Sequence, residues 1–173
     1  MFNLRDFPND HIFSRMERDY PQLAPDAVSA FLRLLVAGSD FLGRLDALLS
    51  GHGIMHGRWL VLIQLRRREI PQALPSELAQ EQGVTRATMS GLLRQLERAG
   101  LIRRQDDPAD GRKAAVILTE KGEELLARIM PEYYTLVNEL TAPLTNPEQK
   151  TLAAMLDKLL MRSASPAQTG PTA

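Results

Sequence analysis

Two glycines, Gly83 and Gly100, cut the stretch Leu74 to Leu118 into pieces that leave few ways to fold. Before Gly83 there is room only for a short helix. Pro75 suits its first turn, where a missing N–H removes no helical bond, and Leu78 and Ala79 form its small apolar face. Gly83 accepts a left-handed backbone and turns the chain sharply. Thr85 then stands where a hydroxyl accepts from a free backbone N–H and caps a second helix. In that helix Met89, Leu92, Leu93 and Leu96 recur at i, i+3, i+4 and i+7, the spacing of one buried stripe. Gly100 stops it. Leu101 to Arg104 and Ala114 to Leu118 have strand composition, joined by the turn-forming run Asp107-Pro108-Ala109-Asp110-Gly111. The expectation is helix, tight turn, helix, two-stranded ribbon.

The unburied side of the second helix is chemically selective. It holds Arg86, Ala87, Thr88, Ser90, Gly91, Arg94 and Gln95, and no acid appears before Glu97. A merely solvated face would mix Glu with Lys. A face of small, hydroxyl, amide and guanidinium groups approaches a DNA duplex closely and hydrogen-bonds to base edges and phosphates. Thr88, Ser90, Arg94 and Gln95 are the expected base readers, and Arg86 serves phosphate as much as base. Arg103 on the ribbon adds phosphate attraction. At the ribbon tip, Arg112 and Lys113 follow the turn, and a thin ribbon carries an Arg into a narrow minor groove, where the negative potential is deepest. Asp110, two residues earlier, is placed to hold the Arg112 guanidinium. The alternative for this pair is an exposed hairpin salt bridge, worth less than about 1 kcal/mol.

Composition sets the remaining bounds. A chain of 173 residues is long enough for one domain with a sizeable core. Its 21 basic and 21 acidic residues cancel, so any basic footprint must be local; between Arg86 and Lys113 cations outnumber acids. With no Cys, disulfides, thiolate zinc sites and thiol-based oxidant sensing are excluded. The first residues do not read as a secretory signal and no apolar run reaches membrane-spanning length, so a cytoplasmic protein with no membrane association is expected. There is no Gly-rich phosphate loop, no nucleophile with base and orienter, and no paired carboxylates in a recognisable context. An enzyme is not expected, nor a cofactor or metal.

Along the chain, residues 1 to 25 read as an N-terminal arm broken by Pro8, Pro21 and Pro25. Asp10 to Asp19 is a possible short helix with Ile12, Phe13 and Met16 on one side, packed across a partner or loosely docked. Ala27 to Ser50 reads as a long amphipathic helix, with Val28, Phe31, Leu32, Leu35, Leu42, Leu45 and Leu49 at helical spacing. Met55 to Arg68 reads as the next, ending in Arg66-Arg67-Arg68, which is either a phosphate-contact patch or a solvated helix end whose cations favour the dipole. After the ribbon, Thr119 caps a helix with Glu120, Glu123 and Glu124 in its first turns, and Pro131 is expected to kink it. Thr145-Asn146-Pro147-Glu148 has capping-box spacing, and Leu152, Met155, Leu156, Leu159 and Leu160 form a stripe expected to pack on this chain and on a partner. Residues 163 to 173 have the composition of a disordered tail.

The ordered combination of Leu78-Ala79, Thr88 to Leu96, Glu97-Arg98-Ala99-Gly100-Leu101-Ile102, Asp107-Pro108-Ala109-Asp110-Gly111-Arg112 and Leu118-Thr119-Glu120-Lys121-Gly122 resembles the MarR family of winged helix-turn-helix transcription regulators. The ribbon followed at once by Leu-Thr-x-Lys-Gly is the most specific part, and the resemblance spans roughly residues 27 to 162. It implies a mainly α fold with a small β-wing: one domain over 26–162, a DNA-binding lobe at about 55–118 and dimerisation helices at about 26–50 and 119–162. It also implies a homodimer on a pseudo-palindromic operator. Two departures stand out. Gly111 replaces a second basic residue common in the wing, and Leu74 replaces a capping Ser or Thr.

Family effector cavities lie between the dimerisation helices and the DNA-binding lobe. His52, His56, Arg58 and Trp59 fall there. An Arg and a His beside an aromatic suit an aromatic carboxylate or phenolic acid, while a core position for Trp59 and surface or interface positions for the histidines are the plain alternatives. A metal site on His52 and His56 is disfavoured by Gly53 between them. The resemblance therefore implies a ligand-responsive repressor; a ligand-insensitive activator or anti-silencer, and a dimeric protein-interaction module without DNA binding, are the alternatives.

Overall fold

The computed structural model describes residues 7–106 and 114–163. Among these lie seven helices and three strands: α1 (Asp10–Asp19), α2 (Pro25–Gly51), α3 (His56–Arg66), β1 (Gln72–Ala73), α4 (Pro75–Gln82), α5 (Arg86–Arg98), β2 (Ile102–Asp106), β3 (Ala114–Leu118), α6 (Glu120–Thr141) and α7 (Asn146–Ser163). The chain divides into two compact units within α6, at Tyr133 and Tyr134. No described helix is long and apolar enough to cross a membrane.

The first unit is built around one core. Leu49 from α2, Val61, Leu62 and Leu65 from α3, Leu78 from α4, Met89, Leu93 and Leu96 from α5, Val116 from β3 and Ile129 from α6 are all at most 1% exposed. Each such side chain contributes about 1.5–3 kcal/mol by leaving water, so this cluster is the main force holding α3, α4, α5 and the sheet together. Leu92, half-buried, fills the space beside Gly57 at the start of α3, where an added Cβ would lie 3.5 Å from its Cδ2.

The sheet is larger than the expected ribbon. β2 and β3 pair antiparallel, Arg104 opposite Val116, and β1 adds a third antiparallel strand with Ala73 opposite Val116, giving the order β1-β3-β2. Two residues are too few for an alternating pattern, so nothing in the sequence marked β1. The start of α4 also differs from a full capping box. The Leu74 N–H donates to Glu77 Oε2 at 3.0 Å, but Leu74 has no side-chain oxygen to return the bond. Only the acidic half of the motif operates here.

Other expectations meet local chemistry directly. Asn9 caps α1 by accepting from the Ile12 N–H at 3.1 Å, and Phe13 is buried within its own chain. α6 runs through Pro131 as one helix. The Arg run is divided: Arg66 pairs with Glu123 at 2.9 Å, and Arg68 pairs with Glu77 and Glu81. Two of the three cations thus tie α3 and its following loop to α6 and α4.

In the second unit, Gln149 Nε2 donates to the carbonyls of Thr141 at 3.3 Å and Leu144 at 3.1 Å and so fixes the turn between α6 and α7. On the α7 stripe, Leu152, Met155, Leu159 and Leu160 are exposed among the described residues.

Candidate nucleic-acid interface

Local chemistry delivers α5 to the surface in a defined orientation. Gly83 adopts φ +64°, and the Val84 N–H returns to the Ala79 carbonyl at 3.0 Å, closing α4 with a left-handed glycine turn. Two residues later the Thr85 hydroxyl accepts from the Thr88 N–H at 3.1 Å and starts α5. With Met89, Leu93 and Leu96 buried, the helix has no rotational freedom. Arg86, Thr88, Ser90, Arg94 and Gln95 are all exposed on its other side. Arg86 and Arg94 form no ion pair among the described residues. Thr88 is partly occupied, because its Oγ1 lies 2.9 Å from Thr85 Oγ1.

The far end of α5 is locked to the base of the ribbon and to α6. Gly100, at φ +72°, lets the Leu101 N–H reach the Leu96 carbonyl at 3.0 Å. The carbonyls just past the helix are then taken by the Leu-Thr-x-Lys-Gly segment: Lys121 Nζ donates to Ala99 O at 2.8 Å and Thr119 Oγ1 to Gly100 O at 2.7 Å. The ammonium sits at the negative end of the α5 dipole. Thr119 also caps α6, accepting from the Gly122 N–H at 3.2 Å. A Cβ on Gly122 would fall 2.4 Å from the Leu101 carbonyl oxygen, so only glycine permits this approach. The motif is a joint between α5, the ribbon and α6.

On the ribbon, side chains alternate between faces. Ile102 is buried on one face, and Arg104 follows it there, opposite Val116. Arg103 lies on the other face, exposed, donating to Gln105 Oε1 at 3.1 Å. The ribbon residue beside α5 is therefore Arg104, which the sequence reading did not single out. It lines a cleft of about 430 Å³ together with Pro75, Ser76, Arg86, Ser90 and Ala114. Period-two alternation from the apolar Ile102 was the signal for it. Asp110, Arg112 and Lys113, expected at the ribbon tip, lie outside the described residues.

Of the four residues expected around an effector cavity, two share a cleft. His56 and Arg58 line a cleft of about 580 Å³ at the α2–α3 turn, with Asp46, Ser50, Gly53 and Met55. His56 Nδ1 is 4.0 Å from Asp46, and the buried Arg58 Nε has no hydrogen-bond partner among the described residues. Trp59, in contrast, is in the core, 4% exposed, with its ring 5.1 Å from that of Tyr133 and 6.0 Å from that of His56. One helical step separates Arg58 from Trp59, which puts the indole in the core. His52 caps the end of α2 and pairs with Glu132 at 3.2 Å. Among the described residues no group of three or more His, Asp or Glu side chains is placed to hold a metal ion.

A helix, a left-handed glycine turn, a second helix with a polar outer face and an antiparallel ribbon together define the winged-helix class of DNA-binding proteins. The chain belongs to the MarR family of transcriptional regulators: the MarR family model matches residues 52–113. It is 30% identical over 132 residues to the transcriptional repressor MprA of Escherichia coli K12, covering 76% of this chain and 75% of MprA. It is 26% identical over 152 residues to the transcriptional repressor YetL of Bacillus subtilis, covering 88% and 90%. Sco3205, a MarR family transcriptional regulator from Streptomyces coelicolor solved in complex with DNA, superposes with a TM-score of 0.75 at 25% identity, covering 85% of this chain and 92% of that one. The chain is a DNA-binding transcriptional regulator of this family.

Proposed function

We propose that this regulator is a homodimeric repressor that reads a pseudo-palindromic operator and releases it on binding a small aromatic acid. The observation that carries the DNA part is the outer face of α5, where Arg86 and Arg94 stand without ion pairs among the described residues, beside Thr88, Ser90 and Gln95, and no acid of the helix precedes Glu97. Thr88, Ser90, Arg94 and Gln95 read base edges. Arg86, Arg103 and the wing residues Arg112 and Lys113 contribute phosphate and minor-groove attraction, and Asp110 holds the Arg112 guanidinium. Two copies related by a two-fold axis put the helices in major grooves about one turn, ~10 bp, apart.

The dimer reading is supported by apolar residues that one chain leaves in water: Phe31, Leu35 and Leu42 on α2, and Leu152, Met155 and Leu159 on α7. The effector reading is supported by the cleft at Arg58 and His56, where a guanidinium without an ion-pair partner among the described residues suits a carboxylate. Trp59 and His52 act behind it, as support for α3 and for the α2 terminus. A ligand there changes DNA affinity only by binding one lobe spacing better than another. Such a regulator works in the cytoplasm.

A band-shift with the upstream region of the protein's own gene, at two salt concentrations, tests the proposal. Binding should fall steeply as salt rises, because phosphate contacts release counterions. No shift at low salt would favour a protein-interaction role. A shift that no aromatic acid relieves would make the regulator ligand-insensitive. Melting-temperature screening against phenolic acids, CoA thioesters and antibiotics identifies the effector class, since a native-state ligand raises apparent stability.

A further inference from the structure

The cleft between the starts of α4 and α5 and the ribbon has the chemistry of an anion seat. Its polar wall is two guanidinium groups and two hydroxyls, from Arg86, Arg104, Ser76 and Ser90, and among the described residues no carboxylate lines it. The one acid that reaches Arg104 among the described residues is Glu97, whose Oε2 lies 3.4 Å from Arg104 Nε. That contact is long and involves a single N–H. It leaves the two terminal NH₂ groups without a described partner. Both side chains are about two-fifths exposed, at 41% and 39%, so water screens the pair and a better partner competes with it.

We propose that this cleft seats a backbone phosphodiester of bound DNA, with Arg104 as a contact residue that Glu97 holds in place until the duplex arrives. The inference rests on the DNA-binding reading and extends it to a residue pair outside the base-reading face. A guanidinium fork matches phosphate oxygens in a bidentate, charge-assisted way that a single N–H to carboxylate contact does not. Arg86 and Ser90 belong both to the cleft wall and to the exposed side of α5. An anion in the cleft therefore lies beside the helix that meets the duplex, and the duplex itself supplies it. Free phosphate has the same chemistry, and the experiment separates the two sources.

Anisotropy titrations of the full chain, against its own upstream duplex and a random duplex over a series of salt concentrations, provide the test. Arg104→Gln should weaken both complexes about tenfold and reduce the salt slope by about 1, with Arg104→Lys in between. Glu97→Gln should leave binding unchanged or tighter, because it frees the same cation. Ser76→Asp puts a carboxylate into the cleft at a helix start that tolerates acids, and should weaken binding while melting at the wild-type temperature. If Arg104→Gln and Glu97→Gln weaken binding equally, the pair is structural and the proposal fails. It fails also if Arg104→Gln leaves the salt slope unchanged. Inorganic phosphate should compete no better than chloride at equal ionic strength. Displacement of DNA by phosphate from wild type but not from Arg104→Gln would mark a free-anion site instead. A wild-type chain that binds no duplex at low salt overturns the DNA-binding reading itself, and this inference with it.

Discussion

Helices α5 and α7 carry the same kind of sequence pattern and meet opposite fates. Each has apolar side chains at i, i+3, i+4 and i+7. On α5, Met89, Leu93 and Leu96 are at most 1% exposed; on α7, Met155 and Leu159 are 56% and 55% exposed. Periodicity therefore specifies that a helix has an apolar face, and says nothing about what covers it. For α5 the cover comes from α3, α4 and the sheet of the same chain. For α7 the described residues of its own unit leave the face exposed, and those methylenes in water forfeit the free energy their burial would give.

The sharpest break of this contrast is a pair of core and stripe variants. Leu96→Ala should destabilise the protein by about 2–5 kcal/mol, the range for a deleted buried leucine, and denaturant unfolding will show it. Met155→Ser with Leu159→Ser should leave the circular dichroism of the helices intact but weaken self-association by at least about tenfold, consistent with about 1.4 kcal/mol per decade. Analytical ultracentrifugation reads that change. Unaltered association would mean that the α7 stripe has no role between copies.

Smaller effects sharpen the account of how α5 is held. Gly122→Ala forces the Leu101 carbonyl or α6 to move and should cost about 1–3 kcal/mol, with DNA affinity falling as the helix loses its anchor. Thr85→Ala removes the α5 cap and should cost about 1 kcal/mol; a variant with unchanged melting temperature would show that the cap is dispensable. The smallest effect belongs to α7. Hydrogen bonds from the Thr145 hydroxyl and N–H hold the Glu148 carboxyl below its ordinary range, against a weak opposing effect of burial. A depressed folded-state value stabilises the protein above the ordinary Glu range, and the gain is lost as pH falls through the lowered value. Glu148→Gln should therefore flatten a slight acid-side slope in the melting temperature between about pH 5 and 3, and leave the neutral value nearly unchanged.

The elements that local chemistry controls were legible in the residues. Gly83, Thr85 and Gly100 marked the turn, the start and the end of α5, because a left-handed backbone and a free N–H impose demands that only a few residue types meet. The exposed side of α5 followed from the same stripe. Pairing and cover were not legible. β1 is two residues long and exists only because Ala73 finds Val116 across the sheet. Arg103 and Arg104 differ by one position, and the register of the ribbon decides which of them faces α5. Trp59 is in the core and Arg58 in a cleft because of the rotation of α3 against its neighbours.

The amino-acid order alone determined the winged-helix class, the capping residues and the acid-poor face of Arg86 to Gln95, since each depends on interactions within a few residues. Only the tertiary structure decided that Arg104 joins Arg86 in one cleft, that Lys121 and Thr119 close the end of α5, and that α7 keeps its leucines exposed. Those outcomes depend on contacts between segments tens of residues apart, and the energy of such a contact is set by the geometry that brings the two sides together.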